Sequence, residues 1–408
     1  IEQRHKDIGM VEKYIKSNLC HLPWTSLETR PNGTYKPCCL YREELTDPSG
    51  KKYNTKEHSI TEVMNSKAME DLRKQFLDGK KPSGCTSCWK EEAVGKTSKR
   101  QHMWYKAGQL GELHITNNTV APRFIDLKLG NICNLKCRIC SPHSSSQWTM
   151  DMIKVDPNRK DYWKQFNTDG LWPRQENEFY KDLEKHIESI RFFEITGGEP
   201  LMIKEQFDIL RKCVEAGVAD NIEIHYNTNG THYPEEAVQK IWPHFKRVEI
   251  AFSIDDVGDR FEYQRHPAKW HEVEANINKF KNSGMKNLSI QVCTTLNFFN
   301  IWNIGELAHK VKEWSPDFWY INILHHPVEF DIQQIPIDIK QQIIATLEKT
   351  EIYKEEIQTA IDYIKGEPDY KLSNWKQALT DKIKSIDAVR KENFADSFTA
   401  LNNLLKIY

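Results

Sequence analysis

Cys133, Cys137 and Cys140 place three thiols within eight residues, directly after an apolar, strand-like run at 124–129. Three thiolates hold three irons of a four-iron cluster and leave the fourth iron open to bind and activate a small molecule, whereas a purely electron-carrying cluster usually has four protein ligands. The competing chemistry is a structural zinc. His143 lies three residues past Cys140 and would complete a Cys3His set of the kind zinc prefers. Spacing alone leaves both open.

A second group, Cys20, Cys38, Cys85 and Cys88, is enough to ligate one further centre completely, again either a four-iron cluster or a tetrahedral zinc. A helix-like stretch at 11–18 leads into Cys20, and the turn signal Pro31-Asn32-Gly33 makes residues 24–27 and 34–37 two short strands of a hairpin. That hairpin brings Cys20 and Cys38 together. A capping-box start at Ser59 opens a helical pattern that runs to about Leu77 and delivers the chain to Cys85 and Cys88. Cys39 is left over, as an alternative ligand or a buried thiol.

The 408 residues exceed what one core usually fills, so one large domain with additions, or two to three domains, is expected. Fifty-seven basic against 58 acidic residues give a net charge of -1, which offers no field to draw nucleic acid or an anionic membrane. No apolar run approaches the roughly 18 residues of a membrane span. The charged start, Ile1 to Asp7, leads into no apolar segment of a signal peptide. Clustered cysteines without a secretion signal indicate metal in a reducing, cytoplasmic setting rather than disulfides.

The elements that must position the first thiol group follow a βα rhythm, which specifies a parallel sheet or barrel. Strand candidates fall at 124–129, 190–195, 222–226, 248–254, 288–294 and 318–324, with helical stretches such as 204–216 and 270–282 between them. Loops after strand C-termini build the active site in such folds. There stand the cysteines, then Thr196-Gly197-Gly198-Glu199-Pro200, then Asn227-Thr228-Asn229-Gly230, then Ser253, Asp255 and Asp256. Glu199 can receive an ammonium group, and Ser253 and Asp255 can pair with ribose hydroxyls. Singly these are ordinary turn or cap residues; their coincidence at successive strand ends favours iron with an open site.

Cys133-x3-Cys137-x2-Cys140, with Ile139 before the last cysteine, together with Gly197-Gly198-Glu199-Pro200, resembles the radical S-adenosylmethionine (radical SAM) enzymes. The resemblance covers about 117–330 and implies an α/β fold built on a partial (β/α)6 TIM-type barrel. It implies that the open iron chelates S-adenosylmethionine, with Ile139 near the adenine, Gly197, Gly198 and Glu199 in the motif that holds the methionine amino group, Ser253 and Asp255 near the carboxylate and ribose, and Thr196 and Asn229 as further cofactor-binding residues. The N-terminal region resembles the SPASM/twitch auxiliary-cluster domain through Cys20-x12-Gly33-x4-Cys38, the middle helix and Cys85-x2-Cys88. Here that module precedes the barrel it normally follows, and the later cysteines of a full SPASM domain are absent, which implies one twitch-like auxiliary cluster ligated by Cys20, Cys38, Cys85 and Cys88.

Residues 1–116, 117–330 and 331–408 are thus expected to form a cluster domain, the partial barrel and a helical extension covering its open flank. The resemblance implies two 4Fe-4S clusters, a reductant such as flavodoxin or ferredoxin, and reductive cleavage of S-adenosylmethionine to a 5'-deoxyadenosyl radical. That radical takes a hydrogen atom from the substrate, foremost a peptide or protein; a small molecule such as an aminosugar, amino acid or nucleoside is the alternative. A zinc-stabilised scaffold is the rival from another class. In the long connection 141–186, Trp148, Trp163, Trp172 and Pro173 form either a lid or substrate wall or an elaborated surface helix. Cys213 reads as core, and Cys293, late on the fifth strand, as a buried thiol or a hydrogen-atom donor. His325 and His326 follow the sixth strand as acid, base or solvent-facing residues.

Overall fold

Among the described residues eight strands carry the fold: β1 (Ser26–Thr29), β2 (Tyr35–Lys36), β3 (Phe124–Lys128), β4 (Phe192–Thr196), β5 (Glu223–Thr228), β6 (Arg247–Ser253), β7 (Leu288–Leu296) and β8 (Phe318–Ile323). Their order is β2-β1-β3-β4-β5-β6-β7-β8, an open α/β sheet with no return of the last strand to the first. β3 to β8 are the six strands of the expected partial barrel, each within two residues of its expected bounds. The computed structural model describes residues 17–93, 97–110, 113, 115, 121–368 and 370–408. The helix expected at 11–18 lies almost wholly outside them, as does the expected boundary near 116. No helix among the described residues is long and apolar enough to cross a membrane.

The chain divides into two compact units, one of residues up to Asn131 with Thr168–Tyr226 and Glu236–Val248, the other of Ile132–Asn167, Asn227–Glu235 and Glu249–Tyr408. In the first unit the expected hairpin forms, but its first strand begins at Ser26, because Leu22–Thr25 winds into a helical turn with proline in its opening turn. Gly33, at φ +81°, closes the hairpin. Sequence patterning does not announce the second partner of β1: it also runs parallel to β3, pairing Glu28 with Asp126. The helix expected from Ser59 to Leu77 is two, Ile60–Met64 and Lys67–Leu77, because Ser66 accepts from the Met69 amide and caps a fresh start.

The four residues singled out in the tryptophan-rich connection are spread over different elements. Trp172 is fully buried against Phe179 and Tyr180 in the first unit, and Pro173 is buried beside it in sequence. Burial of roughly 200 Å² of indole stabilises by about 5 kcal/mol before entropy is charged against it. Trp163 stacks on Phe166 in the helix Lys160–Asp169, and Arg159 lies over it. Trp148 opens the helix Trp148–Val155 of the second unit, where the Arg390 guanidinium covers its ring at 4.6 Å.

The second unit gathers β7 and β8 in parallel with the C-terminal helices Ile337–Leu347, Lys354–Lys365, Trp375–Arg390 and Thr399–Leu405. Their expected stripes, such as Leu379 and Ile383, are buried. Phe299, Phe394, Phe398 and Tyr263 form an aromatic cluster that ties the chain's end to the segment just before His266.

Candidate functional site

Backbone and side-chain bonds pin the cysteine loop of the second unit on alternate residues. The Lys136 and Arg138 amides donate to the His266 and Gln264 carbonyls at 2.8 and 2.7 Å. The Arg390 guanidinium donates to the Lys136 carbonyl at 2.7 Å, and the Trp148 indole to the Cys137 carbonyl at 2.9 Å. Arg138 is buried, paired with Asp387 and Glu392 and stacked on Tyr263 at 3.8 Å. With these residues held, donors meet two of the thiols. Cys133 Sγ receives the Leu135 amide at 3.4 Å and Asn229 Nδ2 at 3.9 Å, and Cys137 Sγ has Arg265 Nη1 at 4.0 Å.

Two of the expected cofactor residues join this loop. Asn229 also donates to Asn134 Oδ1 at 2.9 Å, and Asp255 pairs with Arg265 at 2.7 Å while accepting from the Thr295 amide. Ser253 and Ile139 are half-buried at the end of β6 and on the loop. Cys293 lies on β7 with its carbonyl bound by the Ile254 amide and its Sγ facing Asn322 Nδ2 at 3.2 Å. Burial pushes the Cys293 thiol up to about 11. Arg265, the cation that touches both Asp255 and Cys137, had no motif around it in the sequence. A lone arginine ahead of His266-Pro267 carries no signal until the fold brings it to the thiols.

In the first unit the glycine turn after β4 is a tight fit. Gly197 stands at φ +117°, and a Cβ there would lie 2.7 Å from the Leu129 nitrogen. Leu129 donates to the Thr196 carbonyl at 3.1 Å and Gly198 to the Gly130 carbonyl at 3.2 Å, so β3 and β4 are laced together beyond their ends. Only glycine meets both conditions. Glu199 is fully buried, and its carboxylate accepts the Leu201 amide at 3.1 Å.

Cys20, Cys38, Cys85 and Cys88 line one small cavity of the same unit, walled by Leu22, Tyr41, Phe76 and Trp89. Burial pushes all four thiols up, Cys85 to about 12, and the charge of neighbouring cysteines adds to the rise at Cys20 and Cys85. Bare thiolates are therefore unstable there; a multivalent iron centre supplies the compensating charge, so the donor set fits a cluster. Cys39 does not line the cavity. Its Sγ receives Lys99 Nζ at 2.8 Å. Arg100, paired with Glu92 at 2.8 Å and bound to the Ser17 and Leu19 carbonyls, closes the cavity wall.

In the cysteine loop burial likewise raises Cys137, and Cys140 to about 12, with Arg265 opposing both rises. Among the described residues no three His, Cys, Asp or Glu side chains are grouped so that they could hold a single metal ion. Thiolates around one tetrahedral zinc must stand about 4 Å apart. His143 meets the Phe166 ring edge. Cys213 is fully buried, as core. His325 Nδ1 pairs with the Tyr363 hydroxyl at 3.1 Å, and His326 is exposed.

Residues 127–311 match the radical SAM superfamily, and residues 20–89 match the SPASM iron–sulfur cluster-binding domain. No curated protein matches the chain. Among solved structures the chain is similar to native anSMEcpe with bound AdoMet and the Cp18Cys peptide, at 15% identity and TM-score 0.35, over 64% of this chain and 65% of that one. It is similar also to Streptococcus suis SuiB bound to precursor peptide SuiA, at 13% identity and TM-score 0.34, over 82% of this chain and 64% of that one. TYW1 with a lysine-pyruvate adduct follows at 14% identity and TM-score 0.33, over 56% and 73%. The chain thus spans just under two thirds of the length of the anSMEcpe and SuiB chains it matches. The two domains bring S-adenosylmethionine with its 4Fe-4S cluster and an auxiliary iron–sulfur centre as cofactors. Residues 127–311 are thus a radical SAM domain, with an iron–sulfur cluster-binding domain ahead of it at residues 20–89.

Proposed function

We propose that this chain is a radical SAM enzyme that oxidises, cross-links or epimerises a peptide or protein substrate, with Cys133, Cys137 and Cys140 holding the catalytic cluster. The observation that carries the reading is the cysteine loop: three thiols on one braced segment, two of them met by N–H donors. When bound and reduced, the cluster supplies the electron that splits S-adenosylmethionine into methionine and a 5'-deoxyadenosyl radical. The chain's own residues bind and orient. Glu199 takes the methionine ammonium, the Gly197-Gly198 backbone lies along the methionine, Ile139 contacts the adenine, and Asn229, Ser253 and Asp255 hold carboxylate and ribose. Arg265 fixes Asp255 at 2.7 Å and lends positive charge to Cys137. Cys20, Cys38, Cys85 and Cys88 hold the auxiliary cluster, and a cytoplasmic flavodoxin or ferredoxin supplies the reductant.

SuiB is seen with a precursor peptide and anSMEcpe with a peptide, which supports the choice of a peptide substrate here. The test is anaerobic reconstitution followed by dithionite and S-adenosylmethionine. The protein should release 5'-deoxyadenosine without any substrate, and Cys137→Ala should release none. Undiminished release from that variant sinks the ligand assignment, and colourless protein containing zinc without sulfide sinks the enzyme.

A further inference from the structure

In the first unit the parallel register sets Glu28, Asp126, Glu194 and His225 side by side across β1, β3, β4 and β5. Neighbouring strands lie about 4.8 Å apart, so three carboxyl groups form one row on one face of the sheet. The opposite face carries the buried Ile125, Leu127, Phe193 and Ile195. Sheets of this class normally fill both faces with branched apolar residues. The helix Lys99–Lys106 overlies the charged face, with Lys99 above the Phe124 ring and Lys106 above Phe192.

The outer two carboxylates have ion pairs of their own, and Asp126 between them has none within 4 Å among the described residues. Glu28 pairs with Lys128 and stands 3.8 Å from Arg30, and Glu194 pairs with Lys99 at 3.4 Å. Lys128 and Lys99 are thereby committed, Lys99 also to Cys39. Asp126 is 1% exposed, and neither of its carboxylate oxygens has a hydrogen-bond partner among the described residues. A buried carboxylate without hydrogen-bond partners costs several kcal/mol, which the nearby Lys128 and Lys99 charges offset only in part. Burial, with the Glu194 charge next, pushes Asp126 up to about 7, so the group is poised to exchange its proton for an outside cation near neutral pH.

We propose that Asp126, flanked by Glu28 and Glu194, is the recognition site for a protonated primary amino group on the substrate. The inference rests on the enzyme reading above and names the feature by which that substrate is chosen. A neutral hydroxyl satisfies the orphan oxygens but gives Asp126 no ion pair of its own; an ammonium does both. The substrate carries that amine while a different part of it reacts.

The experiment uses the full-length, anaerobically reconstituted protein and n-butylamine as probe, with n-butanol as the neutral match, followed by calorimetry at about neutral pH in two buffers of different ionisation enthalpy. Butylamine should bind saturably with release of a proton from the protein, butanol roughly tenfold more weakly or worse, and Asp126→Asn should weaken butylamine roughly tenfold or more. Equal binding of amine and alcohol, or unchanged affinity in Asp126→Asn, overturns the proposal. Should that variant not fold, binding of the amine to the wild-type protein without proton release overturns it as well. Release of 5'-deoxyadenosine is measured on the same preparation. If it occurs and the amine is ignored, this inference alone falls; if the amine binds and no cleavage occurs, the enzyme reading falls and the cation site stands.

Discussion

Asp387→Ala should loosen the cysteine loop from a position some 250 residues downstream. Asp387 is 1% exposed and accepts from the Tyr263 and Tyr408 hydroxyls and the Phe394 amide, each at 2.8 Å, and from Arg138 in the cysteine loop. Breaking a buried ion pair by deleting one member costs about 3–5 kcal/mol; because Glu392 still faces Arg138, the lower end applies, about 3 kcal/mol. For a unit of roughly 200 residues each kcal/mol moves Tm by about 2–4 °C, so a fall of about 6–12 °C is expected. Circular dichroism melts of the anaerobically loaded protein measure it, with iron per chain determined alongside. Iron should be lost in step, because Arg138 lies between Cys137 and Cys140. Combining Asp387→Ala with Arg138→Met should cost less than the two changes summed, since the stranded charge is gone. A Tm within about 2 °C of wild type and full iron in Asp387→Ala would refute the idea that this pair braces the loop.

Cys38→Ala should lose the auxiliary iron and sulfide, whereas Cys39→Ala should keep both, because Cys38 lines the cavity and Cys39 is held by Lys99. Acid-labile sulfide per chain decides between them, and the reverse result would move the ligand by one residue. Stability should also depend on pH through Asp126 and Asp256, both raised to about 7 mainly by burial. A carboxyl whose folded value exceeds its unfolded value of about 4 binds more protons when folded, so its contribution is lost as pH rises through that window and is gone above it. Tm should therefore fall from about pH 5 to about pH 7 and then level; Asp126→Asn should flatten part of the slope, and parallel curves for the two proteins would count against it.

The six strands of the partial barrel were legible because each is a short, largely apolar run bounded by turn residues. Gly197 and Gly198 were legible as a close-approach turn for the same reason. The charged row was not. Glu28, Asp126 and Glu194 are separated by 98 and 68 residues, and only the register of three parallel strands makes them neighbours. Arg265 and Arg138 were likewise silent, since an arginine's partner is set by the fold and leaves no local spacing to read. The tryptophans of 141–186 suggested a lid by their number, but large rings more often fill a core, and Trp172 does. The hairpin was visible through Pro31-Asn32-Gly33, whereas its parallel pairing to β3 had no signal at all, because parallel partners need no turn between them.

That pairing bears on how the protein is made. β1 leaves the ribosome nearly a hundred residues before β3, so Glu28 waits for Lys128, and the Thr25 carbonyl for the Arg123 amide. At about 5–20 residues per second this interval lasts several seconds or more. The wall of the auxiliary cavity closes earlier, when Arg100 and Trp104 reach the Leu19 carbonyl. The four N-terminal thiols and the wall around them therefore all precede β3 and the Cys133, Cys137 and Cys140 loop along the chain. The Cys133–Cys140 loop, by contrast, gains its brace only once the C-terminal helix Trp375–Arg390 has been released.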